Sequence, residues 1–129
     1  MLKKILHVDD DDDIRAVTRL ALELVGGFTV FQCASGQEAI EQAESFAPDL
    51  ILLDVMMPGL DGVQTFHRLK EVEALASLPI VFATAKVHAE SVQQLHAIGA
   101  AGVIAKPFDP IELSNKLNLI WEQSRFEIS

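Results

Sequence analysis

Five short apolar runs, each followed by a stretch with helical periodicity, constrain this chain more than any other feature of it. Lys4–Val8, Phe28–Ala34, Leu50–Leu53, Ile80–Ala83 and Gly102–Ala105 read as strands. Leu50–Leu53 is apolar at every position, as expected of a central strand covered on both faces. Between the runs, Ile14, Val17, Leu20, Ala21 and Leu24 fall at helical spacing, and Gly26-Gly27 end that helix. Ser35-Gly36-Gln37-Glu38 has the form of a capping box and opens a helix with Ala39, Ile40 and Ala43 on one face, closed off by Pro48. Further helices are predicted from about Val63 to Val72 and from Ala89 to Ile98. A last helix starts at Asp109-Pro110 and carries Ile111, Leu113, Leu117, Ile120 and Trp121. Parallel neighbours need crossover connections, so this alternation implies a parallel sheet with helices on both faces. Residues 1–124 are expected to form one domain and residues 125–129 a frayed tail.

The bulk numbers agree with a single α/β domain: 129 residues, half of them apolar and about a fifth charged. No apolar run approaches the roughly 20 residues a membrane span needs. Ile5–Val8 is too short for the core of a signal peptide, and Cys33 is the lone cysteine. A cytoplasmic protein with no membrane contact is the expectation. A formal net charge of −9 argues against direct nucleic-acid binding, since like charge repels the phosphate backbone. Phosphate-loop, dinucleotide-binding, CxxC and HExxH motifs are absent from the sequence. The histidines His7, His67, His88 and His96 have no metal-ligand spacing and read as ordinary core or surface residues.

In a doubly wound sheet the site lies beyond the carboxyl ends of the strands, near a topological switch point. There the first strand is followed by Asp9 to Asp13, the third by Asp54, the fourth by Thr84-Ala85-Lys86 and the fifth by Lys106-Pro107-Phe108. Asp11 to Asp13 serve the cap and dipole of the following helix. Each of the other residues has a bland reading too: a cap for Asp54, a structural hydroxyl for Thr84, a surface cation for Lys106. Their convergence on one edge of a sheet favours function. Close carboxylates repel one another unless a cation intervenes, and hard oxygen ligands suit Mg2+. Lys106 would pair with Asp54 at rest and with a phosphoryl oxygen afterwards, and Asp54 can supply an attacking oxygen to form an acyl phosphate.

Val8-Asp9-Asp10, the run Leu53-Asp54-Val55-Met56-Met57-Pro58-Gly59-Leu60-Asp61-Gly62, Ala83-Thr84-Ala85 and Lys106-Pro107-Phe108 resemble the response regulator receiver family over about residues 3 to 122. The resemblance implies a flavodoxin-like (βα)5 fold with strand order 2-1-3-4-5. It implies that Asp54 accepts a phosphoryl group from a histidine kinase or phosphotransfer protein. By the same resemblance Asp10 ligates Mg2+ directly and Asp9 directly or through water, with Asp54 and the Met56 carbonyl completing the protein ligands. Thr84 would bind the phosphoryl group and move on activation, Lys106 would contact the phosphate, and the Lys106–Pro107 bond would be cis. The output face implied is helix four, strand five and helix five, with phosphorylation-dependent homodimerisation left open. The chain is similar to the single-domain chemotaxis-type regulators of that family; a stand-alone regulator, a phosphorelay intermediate and a receiver excised from a larger protein are all expected forms.

One position departs from the family pattern. Val103 stands where an aromatic ring is usual, three residues before the motif lysine, and the chain has no tyrosine. Thr84 movement is therefore expected to leave through the segment from about Ala85 to Ile98. Two rival functions are an Mg2+-dependent phosphohydrolase with Asp54 as nucleophile and a degenerate receiver that binds partners constitutively. The first would want an acid two residues after Asp54, where Met56 stands. The second would not need the full acidic and basic set.

Overall fold

The computed structural model describes residues 1–128. In chain order it comprises β1 (Lys4–Val8), α1 (Asp12–Leu20), β2 (Thr29–Cys33), α2 (Gly36–Phe46), β3 (Leu50–Asp54), α3 (Gly62–Lys70), β4 (Ile80–Thr84), α4 (Ala89–Ala97), β5 (Gly102–Ala105) and α5 (Pro110–Ile128). All strand pairings are parallel and the order is β2-β1-β3-β4-β5, the doubly wound arrangement expected. The order reverses between β1 and β3, where Val8 pairs with Leu53, so the residues that follow them share one crevice.

Side chains alternate along each strand and so divide the core in two. Leu6, Val8, Leu53 and Phe82 pack on one face with Ala39 and Ala43 of α2, Phe66 and Leu69 of α3 and Leu95 of α4. Ile5, Leu50, Leu52, Val81 and Ile104 pack on the other face with Ala21, Leu22, Leu113 and Leu117 beside α1 and in α5. Every residue of β3 is buried, which explains its continuous apolar run. Each such leucine contributes roughly 1.5–3 kcal/mol by leaving water.

The helix starts are built locally. Asp11 caps α1 by accepting the Asp13 and Ile14 N–H groups at 2.9 and 3.0 Å, and Asp109 does the same for Ile111 and Glu112 in α5. Ser35 accepts the Glu38 N–H at 3.1 Å, but Glu38 reaches back to the Ala34 N–H instead of its own cap residue. The reciprocal box is at α3, where Asp61 and Gln64 bond each other's N–H groups at 2.8 and 3.0 Å. Asp61-Gly62-Val63-Gln64 carries that signal in the sequence, and it starts α3 one residue before the predicted Val63.

Three sequence expectations are corrected. Val17, Leu20 and Leu24 do not face the core: they are more than half exposed, while Thr18, Ala21 and Leu22 are buried. The chain widens into a π turn over Ala21–Val25, closed by the Gly26 N–H on the Ala21 carbonyl at 3.2 Å, and this rotates the later side chains relative to an α-helical stripe. Ile111 of α5 is likewise exposed. The helix α5 continues to Ile128, so the tail expected at residues 125–129 is helical as far as the described backbone reaches. Ser129 lies outside the described residues. Beyond α3, a single 3-10 turn over Glu73–Leu75, not read from the sequence, buries Leu75.

Candidate phosphoacceptor site

Asp54 ends β3 with its side chain turned into the crevice and only 4 % of its surface exposed. Asp9, the residue after β1, is 1 % exposed. Both carboxylates meet one cation: Lys106 Nζ lies 3.0 Å from Asp54 Oδ1 and 3.1 Å from Asp9 Oδ2. Lys106 directly follows β5, and its bond to Pro107 is cis, in agreement with the expectation. Asp10 is exposed, yet it offers an oxygen within 4.8 Å of those of Asp9 and Asp54.

The electrostatics follow from burial and crowding. Burial pushes the Asp54 carboxyl above its ordinary range; the Lys106 hydrogen bond opposes this, the Asp9 charge adds to it, and the Lys106 charge and Met56 backbone oppose it. The Lys106 ammonium is held above its ordinary value: burial alone would lower it, but its hydrogen bonds and charge contacts with Asp54 and Asp9 outweigh that. An added divalent cation would relieve the remaining carboxylate repulsion. Three clustered carboxylate oxygens, hard donors with one side open to water, fit Mg2+.

Backbone constraints fix the loop that follows Asp54. The Gly62 N–H donates to the Val55 carbonyl at 2.9 Å. A Cβ on Gly62 would lie 2.7 Å from Val55 Cα and still closer to the Asp54 carbonyl, so α3 can approach the end of β3 only through glycine. Met57 is buried, whereas Met56 is 63 % exposed. A cleft of about 480 Å3 between α1 and the β5–α5 loop, lined in part by Ile14, Val17, Pro107 and Phe108, reaches Lys106.

Thr84, at the end of β4, is buried, but its hydroxyl is not hydrogen-bonded to Asp54 or Lys106. It accepts the Lys86 N–H at 3.0 Å and so ties down the start of the β4–α4 loop. Val103 is partly buried against the α2–α3–α4 side of the core, beside Phe82 in the sheet register.

The sequence matches the response regulator receiver domain over residues 5–118. The chain belongs to that family. It is 38 % identical over 118 residues to the phosphate regulon transcriptional regulatory protein PhoB of Pseudomonas aeruginosa, covering 92 % of this chain and 51 % of that protein. It is 34 % identical over 113 residues to sporulation initiation phosphotransferase F of Bacillus subtilis, covering 88 % of this chain and 89 % of that one. The chemotaxis protein CheY4 of Vibrio cholerae superposes with a TM-score of 0.86 at 31 % identity, over 93 % of this chain and 99 % of its own. The chain spans about half the length of the first curated relatives it matches. The receiver is homologous to those of phosphorylation-activated two-component response regulators. Among the described residues no helix is long and apolar enough to cross a membrane.

Of the residues singled out from the sequence, Asp9, Asp10, Asp54 and Lys106 lie together, while Thr84 bonds the loop that follows it. What sequence reasoning missed is the support beneath Asp9, formed by Arg15, Gln32 and His7. A histidine inside an otherwise apolar strand was the available signal.

Proposed function

We propose that Asp54 is the phosphoacceptor of this receiver. One carboxylate oxygen attacks the phosphorus of a phosphohistidine on a sensor kinase or phosphotransfer protein. The P–O bond forms as the P–N bond breaks, and the electron pair leaves with the imidazole nitrogen. The observation that carries this reading is the buried Asp54 carboxylate held 3.0 Å from the Lys106 ammonium inside an acidic cluster.

Asp9, Asp10, Asp54 and the Met56 carbonyl would hold Mg2+, which when bound neutralises charge on the phosphoryl oxygens. Lys106 moves its ion pair from Asp54 to a phosphoryl oxygen, remaining near its present place. The Thr84 O–H donates to another. The bond to the Lys86 N–H uses an oxygen lone pair, not the O–H, so it is the movement of the hydroxyl toward the phosphoryl group that breaks it and releases the tether on the β4–α4 loop. With Val103 in place of a ring, this release is the route by which phosphorylation biases the two-state surface around α4, β5 and α5. That face would engage a downstream protein or a second copy.

Incubation with Mg2+ and a small-molecule phosphodonor, followed by intact mass measurement, tests the acceptor role. One added phosphate, absent in Asp54→Asn, is expected; an unmodified wild type would refute it. Rapid turnover of the donor would instead favour a phosphohydrolase. Backbone chemical shifts with a phosphoryl mimic test the route, and unchanged amides from Lys86 to Val92 would rule it out.

A further inference from the structure

Every polar group of Asp9 is anchored. Its N–H donates to the Cys33 carbonyl at 3.1 Å, its Oδ1 accepts the Asp11 N–H at 2.9 Å, and its Oδ2 meets Lys106. Its carbonyl accepts Arg15 Nη1 at 2.7 Å, across the first turn of α1. The same guanidinium pairs with Asp12, so both of its ends are fixed. The arrangement is planar and forked, which a lysine ammonium cannot reproduce.

Arg15 is itself held from below. Gln32 of β2 sends one amide hydrogen to the Arg15 carbonyl at 2.7 Å and directs the other toward His7 Nδ1 at 3.1 Å. The Arg15 carbonyl can only accept, so the atom facing it must be the amide nitrogen. His7 Nδ1 must then be an acceptor, and the ring carries its proton on Nε2. Nε2 is buried without a protein partner, among the described residues. A polar chain thus crosses β2, β1 and α1 beneath the acidic pair.

We propose that Arg15 is a positioning residue for the metal-binding carboxylates. Its guanidinium fixes the Asp9 carbonyl and with it the directions of the Asp9 and Asp10 side chains, while Gln32 and His7 hold the helical turn that carries it. This rests on the reading of Asp9 and Asp10 as Mg2+ ligands. Groups that orient metal ligands from behind commonly change affinity by about 10- to 100-fold when removed. A nearby cation acting only through its charge has the opposite effect: its removal tightens Mg2+ binding. The two roles therefore differ in sign.

Mg2+ affinity is measured by titration calorimetry in 0.15 M salt on folded protein, with thermal unfolding recorded alongside. Arg15→Ala is expected to weaken Mg2+ binding about tenfold, and Gln32→Leu, which keeps every charge, to weaken it by a smaller factor. Asp12→Asn, which leaves the Asp9 contact in place, is expected to change it less than either. Unchanged or tighter binding in Arg15→Ala overturns the positioning role. If that variant does not fold, Gln32→Leu decides: wild-type affinity in it overturns the inference. A wild type that binds no Mg2+ overturns the metal-site reading and the inference together, and is distinguished from failure of the inference alone by that control.

Discussion

Replacing His7 by valine is expected to make the domain less sensitive to acid. His7 is 1 % exposed, and burial, with smaller contributions from the Lys106 and Arg15 charges, lowers its pKa from 6.5 to about 3. A histidine whose folded value is depressed stabilises the fold fully above its unfolded pKa. That stability is lost as pH falls from about 6.5 toward about 3. At pH 5 the folded ring is still neutral, so the loss is set by the unfolded histidine: about 1.5 units at 1.36 kcal/mol each, or roughly 2 kcal/mol. The raised Asp54 carboxyl works the other way: its ionisation costs stability at neutral pH, and that cost is relieved as pH falls. It is present in both proteins and drops out of the comparison. Urea unfolding at pH 7.5 and pH 5.0, in EDTA so that one metal-free state is compared, measures the difference. The wild type should lose about 2 kcal/mol more than His7→Val between the two values. At pH 7.5 the variant carries a constant penalty of about 1 kcal/mol for the Gln32 N–H it leaves unpaired. Equal pH dependence in the two proteins would show that folded His7 takes up its proton by pH 5 and would refute the depression of its pKa by burial.

Two further outcomes follow from the site. Lys106→Met removes the cation shared by Asp9 and Asp54 and should cost on the order of 3 kcal/mol in metal-free protein at pH 8, by urea unfolding. The penalty should shrink in acid as Asp54, already raised, takes up a proton; a penalty that does not change with pH would argue against carboxylate repulsion. Gly62→Ala drives a Cβ into the Asp54 and Val55 backbone and should slow phosphorylation by at least tenfold while lowering stability by about 2 kcal/mol. Wild-type phosphorylation by intact mass, with an unchanged urea midpoint, would refute the close approach.

The order of elements, the parallel sheet and the caps at Asp11 and Asp109 are properties of neighbouring residues, and short-range sequence determined them. So did the placement of Asp9, Asp54, Thr84 and Lys106 at strand ends, because each acidic, hydroxyl or basic residue directly follows an apolar run. The face of α1 was different. It carries two apolar stripes, and periodicity does not choose between them; the π turn at Ala21–Val25 and the docking of Thr18 and Leu22 against the sheet do. Thr84's partner also depended on loop geometry, since its hydroxyl bonds the Lys86 N–H and makes no hydrogen bond to Asp54 or Lys106. The strongest case is Lys106, which lies 97 residues from Asp9 in sequence and 3.1 Å from it in space. Nothing local encodes that distance. It arises because β1 and β3 pair side by side, β4 and β5 follow in register, and all of their carboxyl ends emerge on one edge. The same register puts Gln32 beside His7 and beneath α1, turning an anomalous polar residue in a core strand into the support of the acidic pair.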